Sequence, residues 1–262
     1  MTPDDIRESL VARLRSTLEE DCRVLAAWLA GSDSNGRTDR WSDIDLVAIV
    51  EDDAVEATID RCRAALAARH PIDLELRLPM PTWHGHDQVF WQLEGVPDWC
   101  MVDFVVTKRN ATAPRFLEVE RHGTAQVLFD REGLVRPEPF DRPAHQAKVR
   151  ERLAAMAPRF RLLQHLVRKA AWRRDPLEAA DRYLTFTLRP LVELLRIRHA
   201  PDRFDFGLRY LGDDLPSDAW GEIQPLALPG SLDAVLECQA KAEAIFWREL
   251  PLAVQQHAAS AR

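Results

Sequence analysis

The chain has 262 residues, 46% hydrophobic and 29% charged, with a net charge of −7. That suits one large domain or two modest ones, each with a real core, and it supplies no global basic field for holding a nucleic-acid backbone. No apolar run approaches the ~20 residues that span a bilayer, the acidic start lacks signal-peptide character, and the four scattered cysteines form no Cys-x-x-Cys, so a cytoplasmic protein without a zinc or disulfide framework is expected.

In chain order, residues 3–20 predict a helix. Thr2 can cap it, Pro3 suits its first position, and Ile6, Leu10, Leu14 and Leu18 form one apolar stripe. Residues 23–30 read as a short buried strand ending at Gly31, and 44–50 as a second strand. Residues 54–69 return to helical periodicity. In PIDLELRLP the period becomes two: Ile72, Leu74, Leu76 and Leu78 alternate with Asp73, Glu75 and Arg77, predicting a strand with one solvated face. Residues 88–93 and 100–107 predict a hairpin, and 114–129 are ambiguous. The proline-rich stretch 136–143 reads as a linker. Helices are expected near 144–172, 176–199, 216–225 and 231–257, with breaks at Pro158 and Pro190. The pattern predicts an α+β chain: a mixed-sheet domain over 1–135, then a helical bundle over 144–262.

The chemistry concentrates in GSDSNGRTDRWSDIDL, residues 31–46. Glycine lets backbone approach a ligand closely, and the Ser32 hydroxyl and loop N–H groups can contact phosphate oxygens. Asp43 and Asp45 alternate with Ile44 and Leu46, so both carboxylates point to one side of a strand. Such a pair repels itself unless a cation intervenes. Mg²⁺ prefers carboxylate oxygens together with substrate phosphates. A third carboxylate on a nearby strand would complete the site or take a proton from an attacking hydroxyl. Asp103 is the preferred candidate because it is a lone charge inside the apolar strand MVDFVV. Asp73 and Glu75 compete with it, against the simpler reading of a solvated strand face.

The motif G-S-x10-D-x-D followed by an aspartate on a later apolar strand resembles the nucleotidyltransferase superfamily related to DNA polymerase beta. Within it, HPIDLELRLP followed by QVFWQLEGVPDWCMVDFVV is most similar to the aminoglycoside adenylyltransferases of the streptomycin 6-adenylyltransferase type. The resemblance covers roughly residues 23–107. It implies a catalytic domain followed by a helical acceptor-binding domain. It also implies triphosphate contacts from Gly31 and Ser32, with Mg²⁺ held by Asp43, Asp45 and Asp103. ATP would be the donor and a hydroxyl of a small molecule the acceptor, an aminoglycoside-like antibiotic among the candidates. In spectinomycin-type relatives the third carboxylate lies on the earlier strand, which points here to Asp73 or Glu75. The enzyme is expected to act as a monomer or dimer without a nucleic-acid or membrane partner. The rivals are a protein- or RNA-modifying nucleotidyltransferase and a catalytically silent nucleotide-binding regulator.

Other residues carry less. Arg37 and Arg40 flank the loop, and Arg40 is the one expected on the nucleotide. Trp41 reads as packing at a sheet edge. His84-Gly85-His86-Asp87 is too closely spaced for a zinc site and reads as a polar loop. Arg159 with His165 has a spacing seen in helical ribonuclease domains, but it arises easily by chance on an Arg-rich helix; the run Trp172, Asp175, Glu178, Asp181 and Tyr183, and the set Asp213, Asp214 and Asp218, read as solvated helix ends.

Overall fold

The computed structural model describes residues 3–258, so the expected Thr2 cap lies outside the described residues. The chain divides into two compact units, Met1–Phe140 and Asp141–Arg262. The architecture is α+β: a six-stranded mixed sheet with helices in the first unit, and helices in the second.

The first unit runs α1 (Pro3–Glu19), β1 (Val24–Leu29), α2 (Gly31–Ser34), β2 (Ile44–Val50) and α3 (Val55–Ala67). It continues through β3 (Ile72–Arg77), β4 (Asp87–Leu93), β5 (Val102–Lys108), α4 (Val119–His122) and β6 (Gln126–Asp130). The sheet order is β3-β4-β5-β2-β1-β6. Among the described residues only β2 and β5 pair in parallel; the other neighbours are antiparallel. The Leu10, Leu14 and Leu18 stripe of α1 and the Ile59, Cys62 and Leu66 stripe of α3 share a core with Ile44, Leu46, Val102 and Phe104. Burying that alternate set leaves Asp45, Val47, Asp103 and Val105 for the opposite sheet face. Part of that face is covered by Leu117 and the following segment, packed on Trp28 and Ile49. The ambiguous stretch 114–129 thus resolves into a cover, a single helical turn and the β6 edge strand.

β3 departs from its alternation. Ile72 pairs with Leu93, but the register shifts before Leu74, which pairs with Gln92. One extra residue sends following side chains to the other face. Leu74 and Leu76 are consequently each 55% exposed. Glu75 and Arg77 turn to the helix side, where Arg63 of α3 donates to Glu75 at 2.8 Å and Arg77 donates to Glu56 at 2.6 Å. Glu75 and Arg77 thus form partly exposed ion pairs with α3, while Asp73 stays exposed.

The second unit runs α5 (Arg142–Trp172), α6 (Pro176–Tyr183), α7 (Arg189–His199), α8 (Leu211–Asp214), α9 (Ser217–Ile223) and α10 (Leu232–Ala258). α5 begins inside the expected linker because the Asp141 side chain caps Ala144 N at 2.9 Å and Pro143 lies in the first turn. Pro158 is accommodated within α5 without breaking it. Pro190 acts differently: the five residues Leu184–Leu188 before α7 form a π-helical segment. Pro190 has no N–H for the carbonyl four residues back, on Phe186. Gln164 Nε2 donates to that carbonyl instead, at 2.8 Å, while Thr187 Oγ1 donates to Gln164 Oε1 at 2.6 Å.

Asp214 is not on a solvated end. Its carboxylate and the Arg196 guanidinium are both fully buried and joined at 2.6 Å, with Arg203 on the second oxygen and the Gly207 carbonyl accepting from Arg196 Nε at 2.7 Å. Removing one partner of such a pair strands a buried charge. Asp214→Ala is expected to destabilise the protein by about 3–5 kcal/mol, whereas exposed Asp218→Ala should stay within about 0.5 kcal/mol. Urea denaturation followed by circular dichroism checks both; equal effects would contradict the role of the pair.

Candidate active site

The parallel register of β2 and β5 sets Asp45 directly beside Asp103. Both follow a buried residue and precede another, so both project from the face opposite α1 and α3. Adjacent strands lie roughly 4.8 Å apart, which brings the two carboxylates within range of a shared ligand. Asp43 stands one residue before β2, and its carbonyl accepts two hydrogen bonds from Arg7 at 3.0 and 3.1 Å.

Gly31 closes the site from the end of β1. Its φ is +56°, in the left-handed region, and a Cβ there would lie 1.6 Å from Asp45 Oδ2 and 2.5 Å from its Cγ. Glycine is therefore required twice, by conformation and by the approach of the carboxylate. The Ala30 N–H donates to the Asp45 carbonyl at 2.9 Å, fixing the turn against β2. Next in the chain, the Ser32 hydroxyl is buried and has no hydrogen-bond partner among the described residues. Such a group costs about 1–3 kcal/mol unless a ligand satisfies it.

Several groups brace this turn. Asn35 Nδ2 donates to the Gly31 carbonyl at 2.8 Å, and Ser34 Oγ donates to the carbonyl of His122, 88 positions away, at 2.6 Å. Arg7 of α1 ion-pairs with Asp33 as well as holding the Asp43 carbonyl, so one guanidinium ties both ends of the 31–46 loop. In sequence Arg7 is one of many arginines on a helix, and its role depends on a partner 36 positions away.

The structure also separates the competing carboxylates. Glu75 accepts from Arg63 and, at 2.7 Å, from Trp91 Nε1; Trp91 belongs to the core beneath α3, away from Asp103. The Arg63 hydrogen bond holds the Glu75 carboxyl below its ordinary range. Asp73 is exposed on edge strand β3. Arg40 is exposed, with its guanidinium 4.3 Å from the centre of the Trp41 ring, and Trp41 meets Trp99 edge-on at 4.8 Å. In the second unit, Asp175 caps α6 by accepting from Glu178 N, Glu178 pairs with Arg182, and buried Tyr183 donates to the Leu226 carbonyl. Arg159 lines a small cavity with Arg152, Phe186 and Arg189, and His165 does not.

Among the described residues, no group of three or more His, Cys, Asp or Glu side chains is arranged to hold a metal. Asp43, Asp45 and Asp103 are thus not gathered into a three-ligand cage. The donor set still fits Mg²⁺, which is commonly bound by one or two carboxylates with the remaining positions filled by water and substrate phosphates. Asp45 and Asp103 supply hard oxygens, and the buried Ser32 hydroxyl lies in the turn packed against Asp45.

No protein-family model and no curated protein matches the chain. Among solved structures it is similar to an aminoglycoside 6-adenyltransferase from Bacillus subtilis, with 13% identity and a TM-score of 0.39 over 95% of this chain and 90% of that one. A likeness this distant bears on neither substrate nor metal. No helix among the described residues is long and apolar enough to cross a membrane.

The Gly31 approach gives a direct expectation. Gly31→Ala combines left-handed strain with a collision against Asp45, whereas Gly36 shares the positive φ but has open space around its Cβ position. Gly36→Ala should cost about 1–2 kcal/mol, and Gly31→Ala about 1–3 kcal/mol more for overpacking. Urea denaturation of the two variants tests this; equal losses would show that the approach is not tight.

Proposed function

We propose that the chain is a magnesium-dependent nucleotidyltransferase that moves a nucleoside monophosphate, AMP from ATP, onto a hydroxyl of a small molecule. The observation that carries this reading is the placement of Asp45 beside Asp103 on parallel strands, with the Gly31 backbone pressed against Asp45. That is the arrangement a triphosphate site needs: acidic oxygens for a divalent cation, next to a turn that phosphate oxygens can approach closely.

In this reading Asp45 and Asp103 would hold Mg²⁺, with Asp43 as the third carboxylate that the motif supplies, and the bound ion would supply charge neutralisation for the triphosphate. Gly31 and Ser32 bind phosphate oxygens, Ser32 by donating its buried hydroxyl proton. Arg40 reaches the nucleotide from the loop. The acceptor oxygen attacks the α-phosphorus, the bond from that phosphorus to the bridging oxygen breaks, and pyrophosphate leaves. Asp103 takes the proton lost by the acceptor hydroxyl. The chain contributes mostly positioning and fixed charge. The helical second unit binds the acceptor, and hydroxyl-rich aminoglycosides are the first acceptors to examine.

The test is incubation with α-labelled ATP and Mg²⁺ against aminoglycosides, lincosamides, RNA and cell extract. Label should move to a small molecule with equimolar pyrophosphate. Asp43→Asn and Asp45→Asn should each lower turnover at least about 100-fold, more than the 10–100-fold typical of outer-shell partners, with unchanged circular dichroism. Full turnover in either variant would remove that residue from the metal site. Label on RNA or on a protein band would replace the small-molecule acceptor. ATP binding without pyrophosphate release across the panel would indicate a silent regulator.

A further inference from the structure

The loop His84-Gly85-His86-Asp87 is tied to the candidate site. Gln88 begins the exposed-face alternation of β4, and its Nε2 donates to Asp103 Oδ1 at 2.7 Å. Its Oε1 lies 2.9 Å from His84 Nε2. His84 Nδ1 lies 3.2 Å from the backbone nitrogen of His86 and 3.3 Å from Thr82 Oγ1. A backbone N–H can only donate, so Nδ1 is an acceptor and the ring proton sits on Nε2. Nε2–H then donates to Gln88 Oε1, which leaves only the amide nitrogen to face Asp103. The opposite amide orientation would set oxygen against the carboxylate and N–H against N–H, losing both hydrogen bonds. The loop itself is pinned: Thr82 Oγ1 donates to the His86 carbonyl at 2.6 Å, and His86 Nε2 meets the Pro114 carbonyl at 2.9 Å. His84 and His86 are both buried.

We propose that His84 and Gln88 are positioning residues for Asp103. The imidazole decides which way the Gln88 amide points, and the amide holds the Asp103 carboxylate in one orientation. This rests on the reading of Asp103 as the third carboxylate of a nucleotidyl-transfer site.

Two measurements test it on the full chain. With ¹⁵N-histidine labelling, the His84 ring in the wild type should appear as the neutral Nε2–H tautomer. The ¹³C-carboxyl signal of Asp103 should move in both Gln88→Leu and His84→Leu. In nucleotidyl transfer, each variant should lose about 10- to 100-fold in kcat while KM for ATP stays within about two-fold. The double variant should be no worse than Gln88→Leu, because the two residues act as one unit. His84→Gln, which keeps an N–H donor, should recover most of the loss. A proton on Nδ1, an unmoved Asp103 signal in Gln88→Leu, or additive losses would overturn the relay. If the wild type transfers no nucleotide, the reading of the site falls, and the NMR arm still decides whether His84 and Gln88 orient Asp103.

Discussion

Two carboxyl side chains held side by side on adjacent parallel strands set the terms for the first unit. Their register cannot slide. Ile44, Leu46, Val102 and Phe104 alternate with the two aspartates and are buried beneath α1 and α3. A one-residue slip would exchange the carboxylates with that core. Hydrophobic burial on one face thus holds the two carboxylates side by side on the other.

The surrounding contacts make sense against that constraint. Gly31 brings backbone against Asp45 where any side chain would collide. Arg7 ties Asp33 to the Asp43 backbone, and Ser34 ties the same turn to the end of α4. Gln88 reaches Asp103 from the neighbouring antiparallel strand. Each carboxylate strand is approached by a group from a different part of the chain, so the geometry belongs to the folded unit and not to the loop alone. The second unit is held by different means. There a buried Arg196–Asp214 pair and a Gln164 bridge satisfy polar groups inside a helical core, the latter filling the place of an N–H that Pro190 lacks.

Much of this was legible in residue pattern. Stripes in α1 and α3, the apolar runs of β1, β2 and β5, and the isolation of Asp103 in an apolar strand follow from periodicity and from the cost of burying a lone charge. What pattern misread has specific causes. The bulge in β3 turned Leu74 and Leu76 outward and Glu75 toward Arg63, because one inserted residue reverses a period of two. Asp214 looked like one of several acidic residues near helix ends, and only its pairing with Arg196 explains its burial. The His84 loop carried no metal spacing, yet its hydrogen bonds lead to Asp103.

The sequence by itself determined the class of the fold, the end-of-strand glycine and serine, and the presence of aspartates on one face of a strand. Those depend on local spacing and on which residues an apolar core can accept. Only the tertiary structure decided which carboxylates stand together and what holds them. Strand order and register set Asp45 beside Asp103, sent Glu75 to the other side of the sheet, and brought Arg7, His84 and Gln88 into the site. Those placements come from pairings between residues far apart in the chain, which no local period encodes.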